Sequence, residues 1–277
     1  MPGTIEVSIR RATPRDKRAV SEICRHIWGG SDYVPGVFDQ WVRDRRGGLW
    51  LAIVGGRSVG VAKLTLLGDH EAWLHALRVH PRYRRRGVAR ALIAHRLERA
   101  KQLGALIARL DTSDDNVAVH RLMRRFGFRR VSRYAMWNAP ARRGPLPRQA
   151  RPRELENLLR LAPQSDGLLH ESFVRRRLDP RAIACDIRTG WCYVAADDAT
   201  PHAMVVLEPY EDRLRMRVLA GSGTHLVDLL RELPALAAAK QKRRVGMTVE
   251  ARHWRALRAA GYRRPWRGAM LLFEKRL

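Results

Sequence analysis

The chain switches repeatedly between an apolar period of two and one near 3.6, the mark of strands alternating with helices. Residues 6–11 read as a strand. It ends at Ala12-Thr13-Pro14, where Thr13 can cap a helix that carries Pro14 in its first turn and runs to about Trp28. Gly29-Gly30-Ser31-Asp32 breaks that helix, and a short one follows from about Val37. Residues 49–54 and 58–66 are strands on either side of the turn Gly55-Gly56-Arg57. Residues 71–79 are a further strand. Residues 87–103 form a helix whose apolar stripe is Val88, Leu92, Ile93, Leu97 and Ala100, and Gly104 stops it. Residues 105–110 read as a strand, 116–126 as a helix and 128–137 as a strand.

Residues 138–147 hold three prolines and a glycine. They mark a linker, residues 139–150, between a first domain of residues 1–138 and a second of residues 151–277. The second stretch repeats the order of elements. Strands are expected at 191–196, 203–207 and 214–219, a helix with Pro234 inside it at 224–240, a strand at 244–249 and a helix at 251–260. Gly261-Tyr262 then echoes Gly127-Phe128, and a last strand ends at Phe273. The likeness lies in element order, not in residues.

Hydrophobic residues make up 45% and charged residues 29% of the 277, proportions of a globular chain able to bury a core. No apolar run approaches the roughly 18 residues of a membrane span. The opening Met1-Pro2-Gly3-Thr4-Ile5-Glu6 lacks the basic-then-apolar pattern of an export signal. Cys24, Cys185 and Cys192 show no CxxC spacing and cannot all pair, so they read as reduced thiols of a cytoplasmic protein. No metal site is expected.

A net charge of +27 raises the question of nucleic acid. Only six of the 54 basic residues are lysine, a bias that GC-rich codon usage alone produces. The arginines are spread along the chain, with short clusters at Arg84-Arg85-Arg86 and Arg175-Arg176-Arg177, and no zinc-finger spacing or RNP-like aromatic motif accompanies them. The charge is read as a generally basic surface that favours a ligand with several phosphates, not as a nucleic-acid interface.

The densest chemical signal is residues 77–90, a strand, a short basic loop and a helix start. Unpaired backbone N–H groups and a partial positive charge make such a helix start an anion site suited to a pyrophosphate. Gly87 and Ala89 keep side chains away from those donors, and Arg84, Arg85 and Arg86 add fork-shaped ones. Arg84-x-x-Gly87-x-Ala89, following Leu77-x-Val79-x-Pro81, resembles motif A of the GCN5-related N-acetyltransferases (GNAT). There Gln/Arg-x-x-Gly-x-Gly/Ala binds the pyrophosphate of coenzyme A. The resemblance runs from about residue 5 to residue 137, with Asn116 opening the next helix and Phe126-Gly127-Phe128 closing it.

That resemblance implies an α/β (α+β) fold with a mixed sheet and an acetyl-CoA cofactor. It also implies an N-acetyltransferase in which an amine attacks the thioester directly in a ternary complex. Backbone groups of Leu77, Arg78 and Val79 would hold the pantetheine arm and acetyl group, where a bulge splays this strand from the next. The N–H groups of Arg84, Arg85, Arg86, Gly87, Val88, Ala89 and Arg90 would bind the pyrophosphate. Asn116 would contact the pantetheine or sulfur end, cap its helix, or do both.

For catalysis, alternation along residues 71–77 puts Glu71, Trp73, His75 and Leu77 on one sheet face. Residues 73–80 resemble a stretch of the arylalkylamine N-acetyltransferases in which two histidines flank a leucine. His75 falls on the second of these and Trp73 stands at the first. A histidine of ordinary pKa, about 6.5, suits a general base at neutral pH, and Glu71 is the alternative. The general acid of many family members is a tyrosine in Leu-Tyr-x-x-x-Gly-Phe, and here Met123 follows Leu122. Tyr134, His120 and Tyr33 are candidate replacements.

The acceptor is expected between Trp28 and Trp41. Gly30-Ser31-Asp32-Tyr33-Val34-Pro35 resembles a segment of histidine-N-acetyltransferase-like members, in which Asp32 would pair with an ammonium and Trp28, Tyr33 and Trp73 would shape a pocket. A small-molecule primary amine is the expected acceptor, with peptide lysine as the alternative. In the second half, residues 218–224 stand where the cofactor loop would be, but they are too few and lack the arginine motif. A degenerate GNAT-like domain without a second acetyl-CoA is expected there. A non-catalytic acetyl-CoA sensor and a basic nucleic-acid-binding protein are the readings of another class. Oligomeric state is not legible.

Overall fold

The computed structural model describes residues 5–68, 70–165, 167–171, 174–197 and 200–277. Met1 to Thr4, read above for an export signal, lie outside these. The elements follow in the order β1 (Ser8–Arg11), α1 (Lys17–Cys24), α2 (Val34–Val42), β2 (Gly48–Val54), β3 (Arg57–Leu67), β4 (Glu71–Val79), α3 (Val88–Gln102), β5 (Ile107–Ser113), α4 (Val117–Arg125), β6 (Arg129–Pro140) and β7 (Arg148–Gln149). Then come α5 (Leu155–Leu161), β8 (Leu168–Glu171), β9 (Val174–Arg177), α6 (Pro180–Arg188), β10 (Cys192–Asp197), β11 (Thr200–Tyr210), β12 (Arg213–Gly221), α7 (Gly223–Ala239), β13 (Arg244–Glu250), α8 (Trp254–Ala259) and β14 (Met270–Arg276). Among the described residues no helix is long and apolar enough to cross a membrane.

These elements form two compact units. The first takes the chain up to Thr112, Asn116–Val131 and Leu272–Leu277. Its sheet runs β1-β2-β3-β4-β5-β14, antiparallel through β4, with β5 parallel to β4. Alternation along β2 sends Leu49 and Leu51 to one face, where Val20 and Ile23 of α1 and Val34 and Phe38 of α2 cover them. Ala52 faces the other way, toward Val88 and Leu92 of α3. All five apolar residues read as the α3 stripe are buried. At the start of α1, Asp16 completes a capping box with Thr13 and receives two hydrogen bonds from Arg10, at 2.6 and 2.8 Å.

The second unit takes Ser113–Asp115 and Ser132–Leu271. Its sheet runs β6-β13-β12-β11-β10-β7, again antiparallel through four strands, β7 to β12, and parallel at the next pair, β12 and β13. Leu226, Leu229, Leu230 and Leu233 of α7 pack on one face. Leu158 and Leu161 of α5, with Ile183 and Ile187 of α6, pack on the other. The linker region is partly structured, since Arg148 and Gln149 pair with Val194 and Tyr193 of β10 as the edge strand β7.

The last strands depart from chain order. β6, which follows α4, pairs with β13 over its second part, from Tyr134↔Glu250 to Pro140↔Arg244, and from Ser132 on it belongs to the second unit. Most of β14, the final strand of the chain, belongs to the first. Each follows a short helix through a glycine and an aromatic residue, Gly127-Phe128 in one case and Gly261-Tyr262 in the other. Nothing local distinguishes the sheet that each will join.

Candidate active site

β4 and β5 pair only at Glu71↔Ile107, Ala72↔Ala108 and Trp73↔Arg109. Beyond Trp73 they diverge, and on the β3 side the register shifts. His75 opposes Lys63 and Arg78 opposes Val61, so Ala76 and Leu77 together face the single residue Ala62. This is a β-bulge, with Ala76 in the left-handed region at φ 55°. A non-glycine residue there costs about 1–3 kcal/mol and persists only where its surroundings demand it. The bulge turns ladder groups of Leu77, Arg78 and Val79 out of regular pairing, at the positions expected to hold an extended ligand arm.

Residues 80–87 connect β4 to α3. Within them Arg84 is extended, and Arg85 and Gly87 are left-handed at φ 60° and 85°. A turn with left-handed residues just before a helix leaves the unpaired N–H groups of the first helical turn open to an anion, here at the start of a 15-residue helix. A Cβ placed on Gly87 would meet nothing within 4 Å, so its backbone faces open space. Arg84, Arg85, Arg86 and Arg90 are exposed around it, while Val88 is buried and anchors the helix. The side chain of Asn116 accepts from the Val119 N–H at 3.4 Å as the cap of α4 and donates to Thr112 Oγ1 at 3.1 Å.

His75 lies half-buried among cations. Its Nε2 is 2.8 Å from Thr65 Oγ1 and its ring sits 4.7 Å from that of Trp41. Burial, then the charges of Lys63, Arg96 and Arg78, push its pKa down to about 3. An imidazole so held is neutral at pH 7 and a poor acceptor for an ammonium proton. This corrects the expectation of a base with an ordinary pKa. The reason is three-dimensional: Lys63 comes from β3 and Arg96 from α3.

Glu71 is not a free carboxylate. It pairs with Arg109 at 2.9 Å, and Arg109, itself 6% exposed, also holds Glu274 at 2.7 Å. The cluster ties β4, β5 and β14 together. Trp73 is wholly buried, because at its position β4 is still flanked by β3 and β5, so it lines no open acceptor pocket. Tyr134 lies in the second unit, buried, with the Arg175 guanidinium 4.2 Å above its ring and His170 5.3 Å away. Met123 is buried in the first unit and supplies no proton.

The acceptor-side residues do come together. Trp28 stacks on Tyr33 at 6.3 Å, and Tyr33 meets Trp41 edge-on at 5.9 Å. Asp32, however, is already engaged: Arg78 donates to it twice, from Nε at 2.7 Å and Nη2 at 3.2 Å, while its guanidinium lies 4.8 Å from the Trp28 ring. An ammonium would have to displace Arg78 to reach that buried carboxylate, which corrects its simple role as an acceptor anchor. Asp111, on β5 where it has parted from β4, was not singled out from sequence. It helps burial to raise the Tyr33 phenol. Its signal was a carboxylate closing an apolar strand.

The second unit keeps part of this geometry. β12 and β13 pair only from Arg213↔Arg244 to Arg215↔Gly246, and Arg217 is the extra residue of a bulge against β11. Only Ser222 separates β12 from α7, where Gly221 (φ 112°) lets the backbone pass Ala203; a Cβ there would come within 2.7 Å of it. No arginine loop intervenes.

Residues 17–128 match the family model described as Acetyltransferase (GNAT) family. Aminoglycoside N(6')-acetyltransferase type 1 of Stenotrophomonas maltophilia is 27% identical over 142 residues, covering 48% of this chain and 93% of that protein. A GCN5-related N-acetyltransferase from Sphaerobacter thermophilus has a TM-score of 0.68 at 16% identity, over 98% of this chain and 95% of its own. A tandem GNAT protein from the clavulanic acid biosynthesis pathway has a TM-score of 0.55 at 13% identity, over 98% of both. The fold is mixed α/β and of the tandem GNAT kind.

Proposed function

Through residues 17–128 the chain belongs to the GNAT family of acetyltransferases, which use acetyl-CoA, and on that premise we propose that it acetylates the primary amine of a small molecule, an amino acid or a related amine. The observation that carries the reading is the turn with left-handed Arg85 and Gly87 at the start of α3, directly following a splayed, bulged β4. Acetyl-CoA supplies the acetyl group as a thioester. In this reading the exposed Arg84, Arg85 and Arg86 and the first turn of α3 bind its phosphates. The backbone at Leu77, Arg78 and Val79 orients the reactive end, and an N–H at Arg78 or Val79 stabilises negative charge on the carbonyl oxygen.

The small-molecule acceptor rests on the aromatic group Trp28, Tyr33 and Trp41, and on likeness to a relative named for aminoglycoside acetylation. An α-amino group has a pKa of about 7.7–8.0 against about 10.4 for lysine, so a sizeable fraction reaches the site as free base. That suits a centre whose histidine is held neutral and basic only near pH 3. The second unit, with Ser222 alone in place of the loop, takes no second cofactor in this reading.

Gly87→Glu tests the cofactor site, because a carboxylate there opposes the pyrophosphate. Calorimetry should show most of the acetyl-CoA affinity lost, and an unchanged affinity would sink the assignment. An acetylation screen over amino acids, polyamines, arylalkylamines, aminoglycosides and peptides tests the acceptor; a clear preference for peptide lysine would overturn that part alone.

A further inference from the structure

Asp197 at the end of β10, His202 in β11 and His225 in the first turn of α7 converge in the second unit, away from the loop and bulge of the first. Both imidazoles aim Nε2 at the same oxygen, Oδ2 of Asp197, at 3.4 Å from His202 and 3.5 Å from His225. The three donor atoms lie within 4.8 Å of one another. The two rings are stacked, with centroids 4.5 Å apart and planes 21° from parallel.

The backbone contributes to this convergence. Ala195 pairs with Ala203 and Ala196 with Pro201, so His202 is the extra residue of a bulge. Bulges re-aim side chains, and this one belongs to the strand that presents a ligand. The arrangement is poor as hydrogen bonding, since N–H···O contacts fall at about 2.7–3.2 Å. Two stacked cationic rings would also repel each other. It fits coordination instead. With metal–ligand distances of about 2.0–2.1 Å, the edge of a tetrahedron is about 3.3–3.4 Å, close to both separations.

We propose that Asp197, His202 and His225 form a binding site for a single divalent transition-metal ion of the zinc type. Two imidazoles and one carboxylate are a donor set for a borderline ion such as Zn²⁺, with a fourth position left to water. The ion fastens the β10–β11 hairpin to the start of α7. The carboxylate offsets the unfavourable placement of a cation at a helix N-terminus. The site is independent of the acetyl-CoA reading.

The test uses the full chain, stripped with a chelator and titrated with ZnSO₄ by calorimetry. One equivalent should bind and raise Tm. His202→Gln and His225→Gln should each weaken binding by at least about 10-fold and remove the Zn²⁺-dependent rise in Tm. The looser group Glu22, His26 and His80 in the first unit is the control, and His26→Gln should leave the titration unchanged. Co²⁺ should give the visible absorption of a four-coordinate ion, lost in His202→Gln. Both variants should keep the native circular dichroism, because the residues are only half-buried or exposed. No saturable binding, or a titration that survives both substitutions, would overturn the site.

Discussion

Arg96 donates from Nη1 to the backbone carbonyl of His75 at 3.2 Å, and from the same nitrogen to the carbonyl of Lys63 at 3.1 Å. Its Nε adds the carbonyl of Leu92 at 3.2 Å. A guanidinium 2% exposed is thus spent on three carbonyl oxygens. Burial lowers its pKa to about 9. The bulge at Ala76 and Leu77 interrupts the β3–β4 ladder, and the arginine supplies hydrogen bonds beside that interruption.

Arg96→Met is therefore expected to leave the strand carbonyls of Lys63 and His75 short of a donor. Each such loss costs about 1–3 kcal/mol, partly offset by no longer burying a charge. Urea unfolding should show a net loss of stability, and calorimetry a weaker acetyl-CoA affinity as the bulge loses its brace. Unchanged values for both would mean that the bulge stands without Arg96.

His75 gives a pH signature. In the unfolded chain it takes up a proton near its ordinary pKa of about 6.5, and in the native protein only at about 3. Between these values the unfolded state binds more protons. The stabilisation is complete above about pH 6.5 and is lost as pH falls toward 3. His75→Gln should flatten this part of the acid-unfolding curve. Its effect on kcat/KM should stay constant from pH 6.5 to 9, where the wild-type ring does not titrate. A deficit that shrinks as pH rises would restore His75 as a general base.

Glu71 and Arg109 separate structure from chemistry. Arg109→Met strands Glu71 and Glu274 beside each other and should cost about 3–5 kcal/mol, the usual penalty for breaking a buried pair from one side. Glu71→Gln should cost less and leave kcat near wild type. If Glu71 were the base, kcat would fall by about 10²–10⁴-fold.

What could be read from the sequence follows what is local. The α3 stripe and the loop before it were legible because helical period, glycine and arginine spacing are short-range patterns. Arg96 stood on that same stripe, between Ile93 and Leu97, and a charge on an apolar face was the available sign of it. Its partners lie on two strands that the pattern could not bring together. Asp32 was visible as a carboxylate among aromatics, but not that Arg78, 46 residues later, occupies it. Residues 151–190 went largely unread, since α5 spans only seven residues and β8 and β9 four each. The three residues of the proposed ion site carry no short spacing, and a bulge helps to gather them.

The exchanged last strands bear on how the chain is made. A ribosome that has released residues 1–131 has delivered almost all of the first unit, but not Leu272–Leu277. Until then β5 presents an open edge of backbone donors and acceptors, the kind of surface that recruits stray strands. The nascent chain must hold that edge unpaired through the synthesis of about 140 further residues, at about 5–20 residues per second. Chaperone dependence during translation should therefore track the wait for β14 more than the stability of the finished protein.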